Sequence, residues 1–198
     1  MPQPTESTGN IEALAACEVD HPDGTRRRLG ELWRDRPAAL FFVRHFGCLS
    51  CSLQLADLGP RCHELDDLQV RPVLVGHGDM ARLQAFRDRF HLDRTGLVTV
   101  SDPSQRAYAA AGMVRSWWGA AGPRALLDYV EGFAAGHRNP GIFGDPAQQG
   151  GALLVDEAGA VHFHRANQRV GDITPTHALM DAALALAARR TLAGQEAP

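Results

Sequence analysis

The chain of 198 residues contains no lysine; all 20 of its basic residues are arginine. That absence excludes chemistry built on a side-chain amine, such as a Schiff base, a phosphate-loop lysine or a lysine general base. Arginine keeps its charge and is not an ordinary nucleophile, and its use throughout fits a GC-rich coding sequence. A nucleophile must therefore come from Cys, Ser, Thr, His, Tyr or a carboxylate. Long apolar runs are also missing, so no segment is of membrane-spanning length. The opening MPQPTESTGN has no basic stretch followed by an apolar one, so it does not read as a secretory signal. The formal net charge is -3 and the longest basic run is Arg26-Arg27-Arg28, which disfavours nucleic acid as a partner. These absences lead to the expectation of a cytoplasmic protein with neither a membrane nor a nucleic-acid partner. In that compartment four cysteines point to redox chemistry or metal binding rather than to a disulfide framework.

What is present is ordinary for one globular domain: 44% hydrophobic and 22% charged residues. A chain of this size buries about 70% of its unfolded surface and needs no covalent staples. Residues 1–10 read as a disordered lead-in, 11–190 as the domain and 191–198 as a flexible tail. Leu14–Val19 is expected as a strand carrying Cys17, closed by a turn at His21-Pro22-Asp23-Gly24, and Leu29–Trp33 as one helical turn. Ala38–Val43 is a continuous apolar run that suits a strand covered on both faces. A helical pattern follows over Cys48–Leu68, broken or kinked by Pro60. Val70–Val75 and Gly96–Val100 read as further strands, separated by a helix at Met80–Phe90. Asp102-Pro103-Ser104 predicts a helix start with proline in the first turn, running to Ala111. The stretch from Gly112 to Gly150 is irregular apart from a helix at Arg124–Ala135. Ala152–Val155 and Val161–Arg165 predict a hairpin, and Thr174-Pro175 opens a last helix through Ala188. Strands alternating with helices, followed by a hairpin, predict a mixed sheet between helical layers.

The sharpest local feature is Cys48-Leu49-Ser50-Cys51, placed directly after a buried strand and at the start of a helix. The positive end of a helix stabilises a thiolate, which raises the reactive fraction of the first cysteine. Three residues on, the second cysteine returns to the same side and can attack an oxidised first sulfur. Cys48 is thus the candidate nucleophile and Cys51 the candidate resolving thiol. Arg44 and His45 are the nearest sources of positive charge. Trp117 and Trp118 fall in the irregular region and are candidates to line a substrate or partner surface. Gln149, Gly150 and Gly151 could approach the site by their backbone.

The segment from Phe42 through Cys51 resembles the active-site segment of the peroxiredoxin-like (AhpC/TSA-like) branch of the thioredoxin superfamily, which includes the prostamide/prostaglandin F synthase group. Leu29-Gly30-Glu31-Leu32-Trp33, Asp102-Pro103-Ser104, Gln148 through Gly151 and Gly171-Asp172 extend the resemblance in order, over roughly residues 17–188. It implies an α/β, thioredoxin-like fold and an antioxidant oxidoreductase acting through a redox-active disulfide. Cys48 takes the peroxidatic place, and thioredoxin, glutathione or another dithiol acts as reductant. No organic cofactor is required, and a homodimer is one assembly such a chain could adopt. Certain positions depart from the pattern. His45 stands where peroxiredoxins carry Thr, Gly150-Gly151 stands where thioredoxins carry a cis-proline, and the usual strand arginine is absent, leaving Arg44 to supply the charge.

Three other readings of the same residues stay open. The pair could reduce an organic endoperoxide or biosynthetic intermediate. It could serve a non-catalytic redox-sensing or binding module. Cys48, Cys51, Cys62 and His63 could hold zinc, although Cys62 and His63 diverge as helix neighbours; Cys62 alone reads as a small buried helix residue. His162 and His164 share one strand face, expected to be solvated.

Overall fold

The computed structural model describes residues 9–46, 48–134 and 144–196. Residues 1–8 of the expected lead-in over 1–10 lie outside what is described. The elements run α1 (Ile11–Ala16), β1 (Glu18–Asp20), β2 (Arg26–Arg28), a 3-10 turn at Leu29–Trp33, β3 (Ala38–Phe42) and α2 (Leu49–Leu58). Next come a 3-10 turn at Gly59–Arg61, α3 (Cys62–Asp67), β4 (Arg71–Gly76), α4 (Met80–Phe90), a 3-10 turn at Leu92–Arg94, β5 (Val98–Ser101) and α5 (Arg106–Ala110). The chain closes with α6 (Trp117–Ala121), α7 (Pro123–Ala134), β6 (Gly151–Val155), β7 (Val161–Ala166) and α8 (Thr176–Glu196).

The strands form one mixed sheet of seven in the order β2-β1-β5-β4-β3-β6-β7. β3, β4 and β5 are parallel neighbours, and β6 lies antiparallel to β3 with Gly151 opposite Phe42. β3 owes its unbroken apolar run to burial on both faces. Ala39, Phe41 and Val43 pack with α2, α3, α4 and α8, whereas Ala38, Leu40 and Phe42 pack with α1, the Leu29–Trp33 turn and α5. Parallel strands end together, so the loops after β3 and β4 and the residues leading into β6 meet at one edge of the sheet. The cysteine pair lies there. No described helix is long and apolar enough to cross a membrane.

The structure corrects the sequence expectations at five places. Leu14 lies in a helix, because the Asn10 side chain accepts from Ala13 N (2.9 Å) and caps it; Cys17 ends that helix and donates to Ala13 O (3.2 Å). Arg26–Arg28, read as a mere charge run, is the exposed edge strand, where charge discourages further pairing. Pro103 lies in a turn before α5; Asp102 reaches across that turn to accept from Ala107 N (2.8 Å) and Ser104 Oγ (2.6 Å). α6 is a helix because Ser116 caps it, accepting from Gly119 N (3.0 Å). α8 continues to Glu196 rather than stopping at Ala188.

Candidate active site

Residues 43–46 leave β3, and Cys48 opens α2. Val43 N still donates to Val75 O (2.9 Å), and the Tyr108 hydroxyl, fully buried, donates to Val43 O (2.6 Å) with Val75 O also within 3.1 Å. The loop therefore starts from a fixed point beneath the site. Cys48 is the N-cap residue of the ten-residue α2, where the helix dipole favours a negative charge. Cys48 and Cys51 are both buried, at 2% and 1% exposure. All four cysteines are free thiols.

Arg44 is 3% exposed and directs its guanidinium inward. Nη1 lies 3.5 Å from Cys48 Sγ, Nε donates to Gln148 O (3.2 Å), and Nη2 donates to Pro146 O. Among the described residues, the partners of this cation are two main-chain carbonyls and a thiol rather than a carboxylate. Carbonyls hold the guanidinium without neutralising it, so its charge acts on the sulfur.

Cys51 donates its S–H to His45 O (2.9 Å) and is also hydrogen-bonded to Cys48. Burial, first, and then the contact with Cys48 push its thiol well above the ordinary range. The pair is thus asymmetric. Cys51 stays protonated and can donate to a Cys48 thiolate, while Arg44 faces Cys48.

His45 serves the site through its backbone, not as a cation. Its carbonyl accepts from Cys48 N (3.0 Å) as well as from Cys51 Sγ. The imidazole is 2% exposed, and burial, then Arg44, His77 and Arg82, lower its pKa to about 3. The expectation of a protonated His45 beside Cys48 is corrected: Arg44 alone of the two carries charge at neutral pH. His77, from the end of β4, stands with its ring 6.1 Å from that of His45 and 5.6 Å from that of Tyr108. Burial lowers the pKa of His77 as well.

A crevice of about 10 Å³, room for at most about one water, is lined by Arg44, Cys51, Gln54, Gly150 and Asn167 among others. Gly150 reaches it because a Cβ there would stand 2.2 Å from Phe42 O. Gly151 pairs within the sheet, and Gln149 is buried with its amide donating to Ser116 O (3.2 Å) and Ala147 O (3.0 Å). Of the proposed substrate residues, the structure brings Gly150 to the crevice that Arg44 and Cys51 line. Trp117 and Trp118 stand 59% and 78% exposed on α6 and do not line that crevice. A wider groove of about 360 Å³ borders the loop at Phe46, with Ala81, Ala85 and Phe86 as apolar walls and Arg82 and Arg89 beside them.

Tyr108, His77 and Gln54 were not found by sequence reasoning. Gln54 makes a reciprocal pair with the Thr174 backbone (both 3.1 Å), tying α2 to the segment before α8. Its only local signal is a polar residue between Leu53 and Leu55 in the second turn of α2.

The metal alternative finds no support. Cys62 is buried, donates to Leu58 O (3.6 Å), and burial raises its pKa to about 11. No group of three or more metal-ligating side chains occurs among the described residues. His162 and His164 are half-buried rather than solvated; the first contacts Asp156 (2.7 Å) and the second Ala111 O (2.8 Å). No cis peptide bond occurs among the described residues, including at the glycine pair that replaces the expected cis-proline.

Comparison with known proteins agrees with this architecture. Orangutan (Pongo abelii) prostamide/prostaglandin F synthase is 32% identical over 175 residues, 85% of this chain and 86% of that protein. The chloroplastic thioredoxin-like protein AAED1 of Arabidopsis thaliana is 25% identical over 186 residues, 89% of this chain and 74% of that one. The crystal structure of peroxidoxin BcpB from Mycobacterium tuberculosis superposes with a TM-score of 0.61 at 15% identity, covering 85% of this chain and 92% of its own. A peroxiredoxin-like protein from Aquifex aeolicus gives 0.63 at 12% identity, covering 93% and 90%. Both solved structures share the fold. The sequence model of the AhpC/TSA antioxidant enzymes matches residues 57–169, which begin after the cysteine pair, so this likeness rests on the scaffold and not on the thiols. With a thioredoxin-like mixed sheet and a match over more than half its length, the chain belongs to the AhpC/TSA antioxidant enzyme family, the peroxiredoxin-like group of redox proteins.

Proposed function

We propose that this protein is a thiol peroxidase in which Cys48 attacks a peroxide and Cys51 resolves the product. The observation that carries the reading is the contact of an un-neutralised, buried Arg44 guanidinium with Cys48 Sγ at 3.5 Å, beside a Cys51 thiol that stays protonated. The Cys48 thiolate donates an electron pair to one peroxide oxygen, and the O–O bond breaks. The sulfur becomes a sulfenic acid, and the departing alkoxide or hydroxide takes up a proton as alcohol or water. Cys51 then attacks the sulfenic sulfur. The S–S bond forms, and the sulfenic oxygen leaves as water with the Cys51 proton. An external dithiol, such as thioredoxin or two glutathione thiols, reduces the disulfide and is itself oxidised. Such a cycle suits a thiol-reducing compartment such as the cytoplasm, and it needs no organic cofactor.

The apolar groove beside Phe46 favours an organic hydroperoxide over hydrogen peroxide alone. The test is consumption of a panel from hydrogen peroxide to alkyl hydroperoxides, with a dithiol present. Cys48→Ser is expected to abolish turnover, and Cys51→Ser to accumulate a Cys48 sulfenic acid that mass spectrometry detects. Equal consumption by wild type and Cys48→Ser would overturn the assignment.

A further inference from the structure

Residues 145–149 form a short ribbon with two hydrogen-bonding edges. One edge presents the carbonyls of Pro146 and Gln148 to Arg44. The other is zipped to residues 114–116, with Ser116 N donating to Ala147 O (2.8 Å) and Gln149 N to Val114 O (2.9 Å). The Gln148 side chain adds a bond to Val114 O (3.2 Å). The ribbon starts at Asp145, whose two carboxylate oxygens divide the work. Oδ1 accepts from Ala147 N (2.9 Å) and folds the ribbon's first turn, while Oδ2 accepts from Arg115 Nε (2.7 Å) and ties it to the facing segment. Gly144 leads into this turn at φ +101°, where its Cα packs so closely on His77 that a Cβ would meet the ring at 2.4 Å.

We propose that Asp145 is a positioning residue of the thiol centre: by fixing the ribbon it aims the Pro146 and Gln148 carbonyls that hold Arg44 against Cys48. This rests on Cys48 being the attacking thiol. Asp145 touches neither sulfur, and its effect runs through the guanidinium. The two ways it could influence Cys48 have opposite signs. As an anion near the site, with its charge felt at His77, it disfavours a thiolate, so charge alone predicts that deleting it makes Cys48 more reactive. Positioning predicts the reverse, because a loosened ribbon releases the cation. The other charged or titratable groups around the centre are Arg44, His45, Cys51, His77, Tyr108, Arg82 and Asp102, whose charge is felt at His77 and Tyr108. Burial lowers the pKa of both imidazoles and raises those of Cys51 and Tyr108, so each is moved away from the neutral range.

The experiment is the pH profile of Cys48 alkylation in the full chain, read by mass spectrometry of the Cys48 peptide, for wild type, Arg44→Met, Asp145→Ala and Asp145→Asn. Circular dichroism checks the fold. Asp145→Ala is expected to shift the profile upward, in the same direction as Arg44→Met, with labelling at neutral pH roughly three- to tenfold slower, since one pKa unit is tenfold in thiolate. Asp145→Asn keeps an acceptor for Ala147 N and is expected between wild type and Asp145→Ala. If the alanine variant does not fold, Asp145→Ser replaces it; its hydroxyl can still accept from Ala147 N, and a smaller upward shift is expected. An Arg44→Met shift with an Asp145→Ala profile that is unchanged or moves down overturns this proposal and leaves the thiol reading standing. An unchanged Arg44→Met profile removes the reading on which it rests.

Discussion

Replacing Arg44 by methionine isolates the contribution of the cation to the reactivity of Cys48. Nη1 lies 3.5 Å from the sulfur, and the side chain is 3% exposed. Two unit charges about 4 Å apart interact by about 4 kcal/mol at an effective dielectric of about 20. At about 1.4 kcal/mol per unit, that sets a ceiling near three pKa units. Water entering the vacated space recovers part of this, so the expected shift is about one to three units. The sign follows from which form the cation favours. A guanidinium stabilises S⁻, so its removal raises the Cys48 pKa, and thiolate falls about tenfold for each unit by which that pKa exceeds the ambient pH. Methionine also leaves the Pro146 and Gln148 carbonyls without their donors, at about 1–3 kcal/mol each if they stay dry. Urea unfolding therefore accompanies the alkylation profile, to separate lost charge from lost structure. Arg44→Lys restores the charge without the fork and is expected to recover part of the shift. A Cys48 profile unmoved in Arg44→Met, with the fold intact, would refute the pairing of Arg44 with the thiolate.

Two further outcomes follow from the geometry. The His45 pKa is lowered from 6.5 to about 3, chiefly by burial, so the unfolded chain takes up a proton at this residue that the folded chain refuses. This stability, present above the unfolded pKa, is lost as pH falls from about 6.5 towards 3, at up to about 1.4 kcal/mol per pH unit. His45→Asn is expected to flatten that part of the stability profile in urea titrations at neutral and mildly acidic pH; equal slopes would contradict the assignment. Gly150→Ala forces a Cβ to within 2.2 Å of Phe42 O, and because that neighbour is backbone the strand ends must move apart. The expected cost is about 1–3 kcal/mol, together with altered Cys48 reactivity; a thermal midpoint equal to that of wild type would show that the junction yields freely.

Much of the scaffold is legible locally. The apolar run at β3, the Pro60 break between α2 and α3, and the spacing of Met80, Leu83, Phe86 and Phe90 each express burial through their own neighbours in sequence. The errors fall where a side chain overrides the pattern. Asn10 converts an apolar stretch into a capped helix, and Asp102 skips a turn before α5. At the site, Cys48 and Cys51 are readable because strand, loop and helix follow one another directly. The protonation of His45 is not readable, because it depends on burial beneath loops that are distant in sequence.

The absence of lysine, the Cys-x-x-Cys spacing and the strand before it are properties of the chain alone, and they determine that any fixed cation near the thiols is an arginine or a histidine. Folding decides between the two. Burial withholds the proton from His45, while carbonyls from residues 146 and 148, about a hundred positions away along the chain, turn Arg44 toward Cys48 without neutralising it. Local sequence sets which groups are available, but the dielectric around them and the partners they meet arise only when the edge of the sheet brings β3, β4 and the segment before β6 together.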